Sequence, residues 1–318
     1  MLDKVDISVC CMTYNHRNTI AQALDSMLAQ KTQYSFEIIV HDDASTDGTA
    51  EIVKEYAKDK RIKPILQKSN QYYRCNIAKE YINPEMSGRY VAICEGDDFW
   101  TDCNKLEKQV RYMEEHPECS MTFHAVNRET PEGTHEYHPQ KTDGKTAIKD
   151  IILGGGMYCP TVSIVVRRDV ADDWPRFRDM ADVYDYPLQI LAALRGEIYY
   201  FDDVMGTYRY QSAGSWSQKE TEGFNHDHME TEKQWLNELN EYTGHNYNDI
   251  ICLRLSKYFL YYYLIYKDGL AEKNLLSVLP ELSGRSKMLI SCVYWVAKYG
   301  GNRLRKSIVS LYRTSKYR

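Results

Sequence analysis

Apolar and polar positions follow two rhythms along this chain. Short apolar runs at Ile7–Met12, Phe36–Val40, Ile62–Leu66 and Tyr90–Cys94 have the length and composition of buried strands. Between them the spacing turns helical. Ile20, Ala23, Leu24, Met27 and Leu28 mark one apolar face, and Thr49–Ala57 and Cys75–Ile82 predict two more helices. Lys105–His116 predicts a helix and Ser120–Val126 another strand. Strand and helix alternating over short connections predict an α/β fold, with a mainly parallel sheet covered by helices on both faces. Ligands of such sheets bind at the carboxyl ends of the strands, and the chemistry-bearing residues of this chain fall there.

The rhythm then breaks. Residues 127–158 are rich in Glu, His, Thr, Gly and Pro and predict a long irregular excursion. Thr161–Val166 returns as a strand, Asp185–Leu194 as a helix and Ile198–Phe201 as a further strand. Beyond about residue 220 the pattern is helical and rich in tyrosine. The expected division is therefore a domain over 1–220 and a helical C-terminal subdomain over 221–318.

Composition changes this picture at one end only. A hydrophobic content of 43%, a charged content of 27% and a net charge of −5 suit a soluble globular protein and give no reason to expect nucleic acid. Residues 285–318 nevertheless hold nine Lys and Arg and no Asp or Glu, so the remainder is strongly acidic. Met288–Ala297 and Leu304–Leu311 combine those cations with aromatics at helical spacing, which predicts peripheral contact with an anionic membrane surface. The alternatives are an ordinary helix packed on the domain, or a homodimer contact made by the Tyr-rich stretch 258–266. Nine cysteines without a C-x-x-C pair point to a reducing compartment. No apolar stretch approaches 18 residues and no signal-peptide layout opens the chain, so the expected location is cytoplasmic, peripheral at the inner membrane face.

The most informative segment is Ile93-Cys94-Glu95-Gly96-Asp97-Asp98-Phe99. Adjacent carboxylates at the end of a buried strand resist joint ionisation unless a cation neutralises them. Hard oxygen ligands suit Mg²⁺ or Mn²⁺, with a substrate diphosphate completing the coordination. The competing reading is a solvated Asp-rich turn leading into a helix cap.

Three further motifs accompany it in order: Thr13-Tyr14-Asn15 after the first strand, His41-Asp42-Asp43-Ala44-Ser45-Thr46-Asp47-Gly48-Thr49 after the second, and Asp185-Tyr186-Pro187-Leu188 followed by Tyr208-Arg209-Tyr210 and Ser215-Trp216. In this order the chain resembles the inverting family 2 glycosyltransferases of the GT-A fold, a Rossmann-like mixed, mainly parallel sheet, over roughly residues 5–217. The resemblance implies that Asp43 contacts the nucleotide base while Asp42 or Asp47 caps the following helix. Thr13, Tyr14 and Asn15 fall at the nucleotide pocket, where the Tyr14 ring either stacks on the base or packs under the sheet. Glu95-x-Asp97 stands where the family has D-x-D, with Glu in place of the first Asp. Glu95 would face the ribose, and Asp97 and Asp98 a divalent ion bridging the donor phosphates. Asp185 takes the position of the catalytic base, with Asp182 as its rival. Arg209 is placed to pair with the diphosphate, and Gln211 stands where the family often has His.

The implied activity is metal-dependent transfer of a sugar, with inversion, from a nucleotide-sugar donor such as a UDP-sugar to a hydroxyl of a glycan or lipid-linked acceptor, as in surface polysaccharide synthesis. A sugar nucleotidyltransferase is disfavoured because Thr13-Tyr14-Asn15-His16-Arg17 lacks a Gly-rich, Lys-containing loop. A non-catalytic nucleotide-sugar or glycan-binding module on the same fold is disfavoured by the carboxylates at 97, 98 and 185. His226-x-His228 has ligand-like spacing but lies in a polar stretch that predicts solvated surface histidines, and Gly154-Gly155-Gly156, lacking the strand-then-helix setting of a phosphate loop, predicts a mobile loop near the acceptor.

Overall fold

A computed structural model describes residues 5–72, 74–210 and 225–299. The chain forms two compact units, one made of Met1–Ile151 with Gly156–Thr221, the other of Ile152–Gly155 with Glu222–Arg318. Gln211, Ser215, Trp216 and the run Leu304–Leu311 lie outside the described residues.

The first unit is built on a ten-stranded mixed sheet in the order β3 (Ile62–Leu66), β2 (Phe36–Asp42), β1 (Ile7–Thr13), β4 (Tyr90–Ile93), β9 (Val165–Arg167), β6 (Cys119–Thr130), β10 (Glu197–Arg209), β5 (Phe99–Trp100), with β7 (Gly133–Tyr137) paired to β6 and β8 (Gly144–Thr146) to β10. The strands β1 (Ile7–Thr13), β2 (Phe36–Asp42), β3 (Ile62–Leu66) and β4 (Tyr90–Ile93) run parallel. They are bridged by α1 (Ile20–Leu28) and α2 (Thr49–Tyr56). β1 is wholly apolar or small apart from its last residue and is buried almost throughout, as a central parallel strand must be. Helix α1 buries Ile20, Ala23, Leu24 and Met27 on the face predicted from their spacing. The second half comprises β5 (Phe99–Trp100), α3 (Lys105–Glu115), β6 (Cys119–Thr130), β7 (Gly133–Tyr137), β8 (Gly144–Thr146) and the first residues of α4 (Ile148–Gly154). It continues through β9 (Val165–Arg167), α5 (Arg168–Ala171), α6 (Arg176–Asp179), α7 (Asp185–Arg195) and β10 (Glu197–Arg209). β9 runs antiparallel to both β4 and β6, while β6 and β10 are parallel.

Several expectations need correction. The stretch 127–158 is not irregular: β6 extends to Thr130 and folds back as a hairpin onto β7. β7 is mostly exposed and polar, so it lacks the apolar alternation by which a strand is read. Thr161–Ser163 is a tight helical turn, and only Val165–Arg167 is strand. Cys75–Ile82 yields a single wide turn over Ala78–Ile82. The strand expected at Ile198–Phe201 is the start of the thirteen-residue β10, bent by register shifts between Phe201 and Gly206. That extension carries Arg209 to the site.

The second unit contains α8 (His226–Tyr242), α9 (Asn248–Tyr266), α10 (Gly269–Val278) and α11 (Gly284–Tyr299). Asn225 caps α8 by accepting the Asp227 and His228 N–H groups, and Asp268 caps α10 through Ala271. Trp235, Leu239, Leu255, Phe259, Leu275 and Tyr294 are buried in it. Tyr258 and Tyr262 are buried too, leaving Tyr266 as the one tyrosine of the 258–266 stretch with a large exposed face among the described residues. Of the two histidines assigned to the surface, His226 is exposed and paired with Asp268 at 2.8 Å, but His228 is buried against Glu232 at 3.8 Å. No helix among the described residues is long and apolar enough to cross a membrane.

At the start of β1, Gly88 comes so close to the backbone that a Cβ would sit 2.4 Å from the Ser8 nitrogen and 2.6 Å from the Ile7 carbonyl carbon. Ser8 and Glu37 join there with the Ser87 and Gly88 N–H groups. Because backbone atoms cannot swing aside, Gly88→Ala should cost about 3 kcal/mol of stability or more. Chemical denaturation measures this, and an unchanged midpoint would contradict the packing.

Candidate active site

The site forms where β1, β2 and β4 end. The Gly96 N–H donates to the Met12 carbonyl at 2.9 Å, and the Asp43 N–H to the Thr13 carbonyl at 3.0 Å, so three chain segments are stitched together by backbone. Gly96 is required by this closeness: a Cβ would meet Thr13 Oγ1 at 2.5 Å and His16 Nδ1 at 2.9 Å. Its neighbours Glu95, Asp97 and Asp98 thereby project from one tight turn.

Asp98 is buried. Its Oδ1 accepts the Arg209 backbone N–H at 2.8 Å, while Oδ2 has no hydrogen-bond partner. Burial and the adjacent Asp97 charge raise its carboxyl well above the usual range. Glu95 is pushed up to about 8, first by burial, then by Asp97 and Asp185. Asp97 keeps 13% of its side chain exposed, and His16 Nε2 lies 3.9 Å from its Oδ2. Beneath the turn, Cys94 Sγ points at the Asp98 carbonyl at 3.8 Å. The buried Lys105 ammonium has no hydrogen-bond partner; it stands 4.5 Å over the Trp100 ring and is lowered by burial to about 7.

Arg209 is committed to this turn. Its guanidinium donates to the Asp97 carbonyl at 2.5 Å and to Gln22 Oε1 at 2.6 Å, packs over Phe99 at 4.8 Å, and lies 3.4 Å from Glu129. Its geometry is that of a brace holding the carboxylates in place.

Asp185 opens α7. Oδ2 accepts the Thr161 hydroxyl at 2.8 Å and Oδ1 the Tyr186 N–H at 2.8 Å. Burial raises its carboxyl, and these two hydrogen bonds oppose the rise. Gly156 faces it, since a Cβ there would stand 3.8 Å from Oδ1, leaving room over the acid. The influence of Asp185 on both Glu95 and Tyr208 brings it into the same cluster as the acidic turn. Asp182, the alternative base, is exposed.

The nucleotide-pocket candidates are also gathered. Both Asp43 oxygens accept backbone N–H groups, from Gln71 at 2.7 Å and Tyr72 at 3.1 Å, so this carboxylate orders the loop after β3. Thr13 is buried with its hydroxyl 3.2 Å from His16 Nδ1, whereas Tyr14 is 41% exposed and does not pack under the sheet. Asn15 takes a left-handed conformation (φ 57°), and its side chain accepts the Thr46 N–H at 2.8 Å. Asp47 binds the Thr49 N–H and hydroxyl at the start of α2, whereas Asp42 accepts the Ser45 N–H within the preceding loop, so of the two only Asp47 serves the helix start.

Thr161, His16 and Lys105 escaped the sequence reading. His16 lies three residues from Thr13, but Thr161 and Lys105 reach the cluster only through the tertiary fold. Among the described residues no group of three His, Cys, Asp or Glu side chains is gathered for a metal ion. An incomplete set of hard oxygens, one of them buried without a partner, fits a cation whose remaining ligands arrive with a diphosphate.

Residues 8–174, more than half of the chain, match the family described as Glycosyl transferase family 2, and the chain belongs to it. An uncharacterized protein of Mycobacterium tuberculosis is 35% identical over 215 residues, spanning 66% of this chain but only 60% of that relative's length. The Escherichia coli UDP-Glc:alpha-D-GlcNAc-diphosphoundecaprenol beta-1,3-glucosyltransferase WfaP is 35% identical over 108 residues, 34% of this chain and 41% of WfaP. Among solved structures, S. aureus TarS in complex with UDP-GlcNAc superposes with a TM-score of 0.68 at 16% identity, covering 99% of this chain and 93% of that one. The likeness to TarS establishes the shared GT-A fold.

Since the Thr161 hydroxyl holds the Asp185 carboxylate down, Thr161→Val should raise the Asp185 pKa further. Carboxyl-carbon NMR titration reads this, and an unmoved Asp185 would show that the hydroxyl does not stabilise the charge.

Proposed function

We propose that this protein transfers a sugar from a UDP-sugar to a hydroxyl of a glycan or lipid-linked acceptor, inverting the anomeric centre in one displacement. The observation that carries the reading is the convergence of Glu95, Asp97 and Asp98, which follow β4, with Asp185 at the start of α7, where the Asp185 carboxyl is raised. The UDP-sugar is supported by the ligand named for TarS and the donor named for WfaP, and the lipid-linked acceptor by the WfaP name.

Asp97, partly open to solvent, and Asp98, with its unpartnered oxygen, would hold Mn²⁺ or Mg²⁺. Bound there, the ion would supply positive charge to the departing nucleoside diphosphate. Glu95 would meet the ribose, Asp43 and the exposed Tyr14 the base, and Thr13 and Asn15 would shape the pocket wall. Arg209 serves chiefly by fixing the acidic turn. Asp185, oriented by Thr161 and the Tyr186 N–H, takes the acceptor proton as that oxygen attacks. A carboxylate raised toward neutrality by burial is a stronger base than a solvated one.

The C-terminal helix α11 supports docking to an anionic lipid surface. It contains no acid, exposes Met288, Leu289, Trp295 and Tyr299, and begins a segment with nine cations. Deleting residues 285–318 should release the protein from phosphatidylserine vesicles in a sedimentation assay. Retention of the truncated protein would place the contact elsewhere.

Asp185→Asn should bind donor normally but lose transfer by about 10²–10⁴-fold. The wild-type rate should fall with acid as Asp185 gains its proton, at a pH above the ordinary Asp value of about 3.9. Near-normal turnover of the variant would move the base to another residue, and donor binding lost with it would mean that Asp185 serves the donor.

A further inference from the structure

The tight turn Thr161–Ser163 lies in the buried interior, where each backbone carbonyl needs a donor. Two are met from within the turn: the Ser163 N–H donates to the Pro160 carbonyl at 2.8 Å and the Ile164 N–H to the Thr161 carbonyl at 3.2 Å. The Ile93 N–H, at the end of β4, takes the Ile164 carbonyl at 3.1 Å. The others fall to side chains. Gln189 Nε2 donates to the Cys159 carbonyl at 2.9 Å, Trp100 Nε1 to Val162 at 3.0 Å and Gln109 Nε2 to Ser163 at 2.9 Å. Trp100 and Gln109 are themselves buried, so bulk water does not stand in for either donor.

These donors are fixed in their turn. Gln189 lies one helical turn after Asp185 on α7. Trp100 follows Asp98 by two residues, donates its backbone N–H to Ser26 Oγ at 3.0 Å and pairs with Gly206 of β10. The Lys105 ammonium stands over its ring, and Lys105 and Gln109 are one turn apart on α3. A single helix therefore supports both the indole and the Ser163 carbonyl. Within this frame sits Thr161, whose hydroxyl holds Asp185 Oδ2. We propose that Trp100 and Gln109 are positioning residues that keep the Thr161 hydroxyl on Asp185, and so tie the carboxylate of α7 to the turn that carries Asp97 and Asp98. What Asp185 does chemically rests on the proposed function; where it is held does not.

The test is carboxyl-carbon NMR titration of Asp185 in the full chain carrying Trp100→Phe or Gln109→Met, each alone and combined with Thr161→Val. Thermal melting identifies the folded variants, and either one suffices if the other does not fold. Each should move the Asp185 titration to higher pH, the direction expected when the Thr161 hydrogen bond weakens. Neither should move it further in the Thr161→Val background, because both act through that hydroxyl. Glu95, Cys159 and Tyr208, the titratable groups that feel Asp185, are left in place by these substitutions. Loss of packing alone would lower the melting temperature and leave Asp185 where it was. In a transfer assay kcat should fall by up to about 10²-fold with the donor KM unchanged. The proposal is overturned if a folded variant titrates at Asp185 as the wild type does, or if its shift adds to that of Thr161→Val. The expected shifts in a protein that transfers no sugar would sink the transferase reading and leave this one standing. Transfer by the wild type, with Asp185 unmoved in the folded variants, would do the reverse.

Discussion

Everything in the first unit is arranged around mutual repulsion among carboxylates. Glu95, Asp97, Asp98 and Asp185 come from two distant stretches of chain, and a fold does not gather such groups without cause. The protein partly offsets the cost from within. The Arg209 backbone N–H meets Asp98, its guanidinium holds the Asp97 carbonyl, and Thr161 and the Tyr186 N–H receive Asp185. What stays unbalanced is an orphaned Asp98 oxygen and raised carboxyls at 95, 98 and 185. Carboxyls raised together at one end of a sheet mark the place where function is expected.

The scaffold explains how that imbalance is sustained. β1 and β4 are buried parallel neighbours whose register brings Cys10 opposite Ile93, so their ends cannot drift apart. The Gly96 turn then locks onto Thr13 and His16 at a distance that no side chain would permit. β10 reaches the turn from the other half of the sheet, where Gly206 pairs with Trp100 and Thr207 with Phe99. Arg209 follows two residues later. Its position as a brace is thus a consequence of sheet register, not of local sequence.

This distinction also separates what the sequence disclosed from what it hid. The parallel strands were legible because both their faces are buried and their apolar runs are unbroken. The acidic turn was legible because all its members are adjacent in the chain. β7 was not, because an exposed polar hairpin carries no periodic signal, and neither was the full length of β10, whose bulges interrupt its alternation. For the same reason Thr161 and Lys105 went unseen: their importance lies in which side chain the fold sets opposite them. Arg209 was found by motif, but its role as a brace within the protein needed the structure. Asp43 likewise was singled out as a ligand contact, and the structure adds that both its oxygens order the Gln71–Tyr72 loop.

On the proposed function, the acidic turn takes up a nucleoside diphosphate together with a divalent cation. Titrating UDP into the protein with Mn²⁺, and again with EDTA, tests it most directly, with GDP as comparator and Asp97→Ala as control. UDP binding should require Mn²⁺ and should disappear in Asp97→Ala while the variant remains folded. Equal binding of UDP in EDTA, or none at all to the folded wild-type protein, would contradict it.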